Sequence, residues 1–248
     1  MALQIVSAAQ ELEVSCLRVL LWGQPGAGKT SLGCTADRVL CFDTDQGSHR
    51  SAFRQDIVAV KSWEEISNVT PKDLEGYDTI MVDTVGRQLD LISAYLISTN
   101  PKFGQRDGSM TLKGYGAMKA IFTVWCRRLS LFGKDIIFVA HDKEDKRGDD
   151  VVARPDIQGG SYGEVFKLCD GIGYLHMVGG DRVLDFSPHE GWVGKNPAML
   201  PTLKVPDFHQ EGTFFSNLLA DIKASLGHVA GASQKMLKKL DTLRDKLE

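Results

Sequence analysis

A glycine-rich motif with catalytic potential stands near the start of the chain. Residues 23–30 read Gly-Gln-Pro-Gly-Ala-Gly-Lys-Thr, which fits G-x-x-x-x-G-K-[ST] without a mismatch. Glycines let backbone N–H groups converge on phosphate oxygens, while Lys29 would reach the β- and γ-phosphates and the Thr30 hydroxyl would ligate Mg²⁺. The motif therefore predicts a phosphate loop for a nucleoside triphosphate. The residues expected to contact it are Gly23, Gln24, Pro25, Gly26, Ala27, Gly28, Lys29, Thr30 and Ser31.

Acidic side chains follow two apolar runs further along the chain. Asp83 ends the run Thr-Ile-Met-Val, and a carboxylate at the tip of a buried strand after a phosphate loop fits the Walker B position. We therefore expect Asp83 to hold magnesium together with Thr30. Asp43 and Asp45 follow another apolar run. Asp45 could orient or deprotonate the attacking water, or it could be structural, and Asp43 could instead cap a turn.

A third apolar run ends in a histidine. His141 follows Ile-Ile-Phe-Val-Ala, and a polar residue at such a strand tip would lie near the γ-phosphate. It could sense whether that phosphate is present and pass the change to the loop that follows. A purely structural role for a lone histidine is the alternative, and no pairing among the other histidines suggests a metal site.

The elements that must position these residues alternate between strands and helices. Short apolar runs predict strands at residues 17–22, 39–43, 57–60, 79–82 and 135–140. Helical spacing predicts helices at residues 29–36, 63–69, 87–98, 115–132 and 164–168. This alternation predicts an α/β fold, with a mostly parallel twisted sheet and helices on both faces. Two further runs, 171–178 and 182–186, flank Gly179-Gly180 and predict a C-terminal antiparallel hairpin.

Length and composition indicate one such domain. The 248 residues suit one α/β core domain at 1–226, which includes an N-terminal extension at 1–15, followed by a linker and amphipathic helix at 227–248. The net charge of −3 means that any contact with nucleic acid must come from local patches. Five cysteines without a C-x-x-C pair favour reduced thiols, hence the cytoplasm, over a zinc site or disulfides. Neither a signal peptide nor a membrane span is evident.

Several motifs together resemble the RecA-like recombinase ATPases, and most closely the small phage proteins that consist of a shortened RecA core. The resemblance covers roughly residues 17–178, and it rests on the phosphate loop, Phe42-Asp43-Thr44-Asp45, Val82-Asp83-Thr84-Val85, Phe138-Val139-Ala140-His141 and Gly159-Gly160-Ser161 in the family's order. It implies ATP and Mg²⁺ as ligands, with Lys29, Asp45, Asp83 and His141 as catalytic residues. The family usually has Glu in the place of Asp45 and commonly Gln in the place of His141, although His also occurs in the phage group.

The resemblance also implies two loops that bind single-stranded DNA, at residues 99–116 and 142–160. Cations and aromatic rings in such loops supply affinity through backbone charge and base stacking. A solvated surface loop is the alternative, and the acidic residues of the second loop favour it there. The residues expected to contact DNA are Lys102, Phe103, Arg106, Lys113, Lys146, Arg147 and Arg154.

The function that the resemblance implies is ATP hydrolysis on single-stranded DNA in phage-type homologous recombination, by annealing or strand exchange. The family binds ATP between subunits, so it implies a homo-oligomer, as a ring or filament, and a cation supplied by the neighbour. Arg182 and Lys195 lie in the right part of the chain for that cation. A single-strand-binding protein is a further possible partner, and the host cytoplasm is the expected location.

Two other functions stay open at this point. In a GTPase, Asp83-Thr84-Val85-Gly86 would be the D-x-x-G motif, but Asp142-Lys143-Glu144-Asp145 has Asp where the guanine motif N-K-x-D needs Asn. The chain could also be a nucleotide-gated assembly factor, such as a helicase-loading or packaging subunit, in which hydrolysis is slow and DNA contact is indirect.

Overall fold

The computed structural model describes residues 13–147, 150–207 and 210–227. Most of the predicted N-terminal extension therefore lies outside the described residues. The same holds for the predicted C-terminal linker and amphipathic helix beyond residue 227.

A nine-stranded sheet forms the centre of the molecule, in the order β3-β2-β4-β5-β1-β7-β8-β9, with β6 paired to β5 outside this path. The strands are β1 (Arg18–Gly23), β2 (Val39–Asp43), β3 (Asp56–Ala59), β4 (Thr79–Asp83), β5 (Asp135–Arg147), β6 (Asp150–Pro155), β7 (Gly171–Val178), β8 (Asp181–Asp185) and β9 (Leu203–Lys204). Strands β3, β2, β4, β5, β1 and β7 are mutually parallel, and β8 and β9 continue the sheet antiparallel. The predicted fold class and C-terminal hairpin are confirmed.

Helices cover both faces of this sheet because its central strands are apolar on both sides. Along β1, Leu20 and Trp22 pack into one core, whereas Val19 and Leu21 pack into the other. The period of two residues in a strand produces this alternation. The helices are α1 (Lys29–Gly33), α2 (Glu64–Ser67), α3 (Val85–Thr99), α4 (Leu112–Ser130), α5 (Ser161–Leu168) and α6 (Phe214–Gly227). Helices α2 to α5 line the first core, and α1 and α6 line the second.

The second segment predicted to bind DNA, residues 142–160, was expected to be a loop, and this expectation is wrong for most of its length. Beyond His141, β5 leaves the parallel sheet and pairs antiparallel with β6, from Asp142 opposite Pro155 to Arg147 opposite Asp150. The strand prediction relied on apolar runs that are buried on both faces. Residues 142–147 are all charged, so this part of β5 lacks the apolar run by which the other strands were predicted.

The first predicted DNA loop contains more local structure than expected. A 3₁₀ turn spans Pro101–Phe103, and Gly104 then bridges Met110. The Thr111 side chain accepts a hydrogen bond from Gly114 N, which caps α4. Helix α4 consequently begins at Leu112 and includes Lys113, earlier than the predicted start at residue 115.

Candidate nucleotide-binding site

The glycine-rich loop connects β1 to α1 through conformations that only glycine adopts easily. A Cβ atom at Gly23 would lie 2.1 Å from the carbonyl oxygen of Leu175, so the neighbouring strand β7 excludes any side chain there. Gly28 has φ 95° and ψ 20° in the left-handed region, directly before the first residue of α1. The two glycines thus allow the chain to turn from the sheet edge into α1, with the loop open at the strands' carboxyl ends.

Lys29 lies beneath this loop with 5% of its surface exposed. Its Nζ donates hydrogen bonds of 2.8 Å to the carbonyl oxygens of Gly23 and Gln24. Burial lowers the pKa of Lys29 to about 8, although Asp83 and two other carboxylates act in the opposite direction. Among the residues that the structure describes, no carboxylate lies at ion-pair distance from Lys29 Nζ. A buried ammonium of this kind is suited to bind an anion that enters the loop.

Thr30 and Asp83 meet across the end of β4. The Thr30 hydroxyl donates a 2.6 Å hydrogen bond to Asp83 Oδ2. Burial raises the pKa of Asp83 to about 6, and the hydrogen bond from Thr30 only partly opposes this shift. Within the described residues, no group of three or more histidine, cysteine or acidic side chains forms a protein-only metal cage. A hydroxyl and a carboxylate are hard oxygen donors, and this small set suits Mg²⁺, which keeps waters and substrate phosphates as its other ligands.

Mg²⁺ bound at these two oxygens would neutralise charge on the β- and γ-phosphates. The protein itself leaves the Asp83 carboxylate buried with a hydroxyl as its hydrogen-bond donor. A cation at this position would lower the pKa of the carboxyl group that burial has raised. The residues present therefore fit the magnesium ion that the sequence predicts.

The two carboxylates after β2 have different surroundings. Asp43 accepts hydrogen bonds from the backbone N–H groups of Gly47, at 3.1 Å, and Ser48, at 3.0 Å. It thus caps the turn that follows β2, which is the alternative considered for it. Asp45 instead lines the open cleft, and its backbone N–H donates to the carbonyl oxygen of Asp83 at 3.2 Å.

His141 lies between the lysine of the phosphate loop and Asp45. Its Nδ1 is 3.4 Å from Lys29 Nζ, and its Nε2 is 3.7 Å from Asp45 Oδ2. Burial and then the charge of Lys29 lower the pKa of His141. A lowered pKa favours the neutral ring, whose Nδ1 can accept a hydrogen bond from Lys29 Nζ in the tautomer that carries its hydrogen on Nε2.

A cleft of about 780 Å³ opens over this group of residues, at the carboxyl ends of the parallel strands. It brings together all four predicted catalytic residues, Lys29, Asp45, Asp83 and His141. Its walls also contain residues that the sequence analysis did not select, namely Arg50, Arg87, Asp90, Asp156 and Gln158. Arg87 follows Asp83 closely in the sequence, which is the one signal that could have marked it.

The two cations considered for a neighbouring subunit lie in different places. Arg182 lines the cleft, and its Nε donates to the carbonyl oxygen of Ala27 at 3.1 Å within the same chain. Lys195 donates to the carbonyl oxygen of Cys169 at 2.5 Å, and it does not line the cleft. A contribution of either residue to another subunit stays a prediction.

The residues predicted to contact DNA lie in two segments. Lys102, Arg106 and Lys113 are exposed, and none forms an ion pair with another described residue. Lys146 is also exposed, while the side chain of Arg147 lies outside the described part of the chain.

Other residues that were predicted to contact DNA make contacts within the protein instead. Arg154 pairs with Asp145 and lies 5.4 Å above the ring of Tyr162, so much of its charge is compensated. Phe103 packs partly against the core, whereas Tyr115 is 38% exposed. Tyr115 is therefore the better candidate of the two aromatic residues for stacking on a base.

Comparison with known proteins identifies the family. Residues 15–198 match the model of the AAA_24 family, which is described as an AAA domain. The chain belongs to this family. The AAA domain is a P-loop ATPase of the RecA-like class, for which a nucleotide and usually Mg²⁺ are the implied ligands. No curated protein matches the chain.

Two solved structures resemble the AAA domain at low identity. A prototypical ATPase from the type III secretion system of pathogenic bacteria has 14% identity and a TM-score of 0.41, over 64% of this chain and 51% of that one. The chain thus spans about half of that protein's length. The KaiC-like protein PH0186 from Pyrococcus horikoshii OT3 has 11% identity and a TM-score of 0.41, over 71% and 87%. The ATPase class rests on the family match and the phosphate loop, and not on these two likenesses.

The ionisation of Asp83 and Lys29 predicts how nucleotide binding depends on pH. Protonation of Asp83, with its pKa raised to about 6, would remove the predicted magnesium ligand as the pH falls. Deprotonation of Lys29, with its pKa lowered to about 8, would remove the charge expected to attract phosphate as the pH rises. We therefore expect the association constant of a non-hydrolysable ATP analogue with Mg²⁺ to be bell-shaped, with its maximum between these two values.

Calorimetric titration across pH 5–9 measures this profile. The Asp83→Asn variant is the control: its binding should be weak, and the flank near pH 6 should disappear. An association constant that is flat from pH 5 to 9 in the unaltered protein would contradict the prediction.

Proposed function

We propose that this AAA domain hydrolyses ATP in the cleft and couples hydrolysis to binding of single-stranded DNA, as in phage-type homologous recombination. One observation carries the proposal. The residues that would bind and hydrolyse ATP converge where β5 passes from the sheet into the β5–β6 hairpin. The protein would anneal single strands or assist strand exchange, and it would act as a homo-oligomer.

The four predicted catalytic residues and Thr30 each have a task in this proposal that their positions allow. Lys29 holds the β- and γ-phosphates, and Thr30 and Asp83 hold the metal. Asp45 faces the open cleft and orients the attacking water, since its backbone is fixed to β4 and its carboxylate is partly exposed. His141 contacts Lys29, so it would respond to whether the γ-phosphate is bound to that lysine.

The β5–β6 hairpin offers a route from the nucleotide to DNA. His141 belongs to β5 at the base of the hairpin, and Asp156 follows β6 at the same level. The Asp156 N–H donates to the carbonyl oxygen of His141 at 2.8 Å, and both residues line the cleft. A nucleotide that displaces His141 would therefore move the base of the hairpin, whose β5 strand carries the exposed residues Lys143 and Lys146.

The segment between α3 and α4 supports the DNA-binding part of the proposal. Lys119 of α4 packs near Gly160, which follows the hairpin, and forms an ion pair of 3.1 Å with Glu164. The start of α4 therefore points toward the same end of the sheet as the cleft. The exposed cations Lys102, Arg106 and Lys113 lie at this start, where a single strand could run past both segments.

The GTPase alternative loses support from the same hairpin. Residues 142–145 lie within β5 and pair with β6. Consecutive side chains in a strand point to opposite faces, so the four residues do not form a loop that wraps around a guanine base.

The test of the proposal is the ATPase rate with and without single-stranded DNA. We expect Mg²⁺-dependent ATP turnover that single-stranded DNA raises several-fold, with GTP turned over much more slowly. An ATPase rate that is indifferent to single-stranded DNA at low salt would instead favour the nucleotide-gated assembly factor.

Removal of three cations tests the DNA segment directly. The variant with Lys102→Ala, Arg106→Ala and Lys113→Ala should bind single-stranded DNA about tenfold or more weakly at moderate salt, because fewer counterions are released. The slope of the logarithm of the DNA association constant against the logarithm of the salt concentration should become shallower by roughly 2. Each of the three lost phosphate contacts on a single strand accounts for about 0.7 of this change. Fluorescence anisotropy with a labelled oligonucleotide at several salt concentrations measures both quantities.

A control variant removes the same charge from elsewhere. Arg38, Lys72 and Lys134 precede strands β2, β4 and β5, so they lie at the amino edge of the sheet, away from the cleft. Their combined replacement with alanine should leave the salt slope nearly unchanged. Equal losses of DNA affinity in the two triple variants would contradict a specific role for the segment before α4.

A further inference from the structure

Arg87 brings a permanent positive charge into the cleft, although no motif marks it. It lies in the first turn of α3, where its backbone N–H is within 3.5 Å of the Thr84 hydroxyl that caps the helix. The start of α3 is fixed by this cap directly after β4. The Arg87 side chain therefore reaches into the cleft from a helix start whose backbone is fixed by this cap.

The Arg87 side chain contacts the carboxylate that would orient water. Its Nε is 3.3 Å from Asp45 Oδ1, and the other carboxylate oxygen of Asp45 faces His141 Nε2 at 3.7 Å. The Asp45 carboxylate is thus held between side chains of α3 and β5. Asp45 itself belongs to the turn after β2, and the backbone of this turn does not fix the rotation of the Asp45 side chain.

A second carboxylate limits the movement of Arg87. Its Nη1 is 3.4 Å from Asp90 Oδ2, and Asp90 Oδ1 accepts a hydrogen bond of 3.1 Å from Gln158 Nε2. The hydrogen bonds to Asp45 and then to Asp90 raise the pKa of Arg87, so its charge persists at any working pH. The planar guanidinium offers several donors in a fixed fork, and a lysine in this place could not reach both carboxylates in the same way.

We propose that Arg87 is a positioning residue, which fixes the Asp45 carboxylate in the orientation needed to align the attacking water. This inference rests on the proposed ATPase function. An ion pair as exposed as this one adds little to folding stability, so its effect belongs to the geometry of the site. The arrangement also links Asp45 to Gln158, and hence to the segment that leaves the β5–β6 hairpin.

Steady-state ATP hydrolysis by Arg87→Ala tests this role. We expect kcat to fall about tenfold, because a loosely held carboxylate orients water less often, with the KM for ATP changed less than about twofold. Arg87→Lys should recover part of the loss, since it restores the charge without the fork. Arg38→Ala is the matched control, because Arg38 is equally exposed, pairs with Asp78, and precedes β2 at the opposite edge of the sheet.

A double variant separates positioning from direct contact with the nucleotide. When Asp45 is already Asn, Arg87→Ala should lower kcat by less than about twofold further, since the two residues act as one unit. Thermal denaturation of each variant shows whether it is folded, and the same midpoint is expected for all of them.

Two results would overturn the inference while leaving the proposed function standing. One is an Arg87→Ala variant whose kcat equals that of Arg38→Ala. The other is a raised KM, together with a loss of kcat that persists in the Asp45→Asn background, because Arg87 would then contact the phosphates itself. Absence of ATP turnover in the unaltered protein would overturn the proposed function, and this inference with it.

Discussion

Replacement of Lys29 by alanine should lower ATP turnover at least about a hundredfold, the cost of losing one preorganised donor to the reacting group. Lys29 is the buried cation under the glycine-rich loop, and burial lowers its pKa to about 8. The protein thus retains a desolvated ammonium whose hydrogen bonds go to the loop's own carbonyl oxygens at 2.8 Å. A phosphate would exchange these neutral partners for charged ones, which are roughly twice as strong.

Phosphate release at saturating ATP, with the melting temperature measured in parallel, checks this result. The Lys29→Ala protein should remain folded, since removal of a buried charge relieves its desolvation cost. Lys29→Arg is an informative companion, because it keeps the charge and changes the shape, and it should also lose most activity. ATP turnover that survives in a folded Lys29→Ala protein would show that the loop is not where the phosphates bind.

Replacement of Asp45 by asparagine should lower kcat by about 10²–10⁴, the contribution typical of a general base, while binding of ATP stays nearly unchanged. The Asp45 carboxylate is partly exposed to the cleft, and its contacts are to Arg87 and His141. It lacks the contacts to the glycine-rich loop that Lys29 makes. The loss should therefore fall on the chemical step, and the dissociation constant of a non-hydrolysable ATP analogue should change less than about threefold.

The neighbouring carboxylate supplies the control for Asp45. Asp43 is 2% exposed and accepts two backbone hydrogen bonds, so Asp43→Asn should lower the melting temperature and change kcat much less. Single-turnover rates for both variants make the comparison. If Asp45→Asn hydrolyses ATP at the original rate, Asp45 is not the residue that orients water.

Much of the fold was predictable from sequence because its central strands are buried on both faces. Such strands are short apolar runs, and the ends predicted for β2 and for the β7–β8 hairpin agree with the structure to within a residue. The β5–β6 hairpin was not predictable in this way. Residues 142–147 of β5 are all charged, and their pairing with β6 depends on where β5 leaves the parallel sheet.

The candidate site divides along similar lines. Thr30 and Asp83 could be paired from sequence because the glycine-rich loop and an acidic strand end have a fixed relation in parallel sheets. Arg87, Asp90 and Gln158 could not, since their place in the cleft depends on how α3 and the segment after β6 pack over the sheet. Apart from the short distance in sequence between Asp83 and Arg87, the arginine and the glutamine show no spacing that distinguishes them from solvated side chains.

The central claim is that one cleft binds ATP with magnesium, and calorimetric titration with a non-hydrolysable ATP analogue tests it most directly. The predicted result is one site per chain that requires Mg²⁺ and is lost in Lys29→Ala and weakened in Asp83→Asn. Absence of binding at about millimolar analogue with excess Mg²⁺, or affinity equal in all three proteins, would contradict the account.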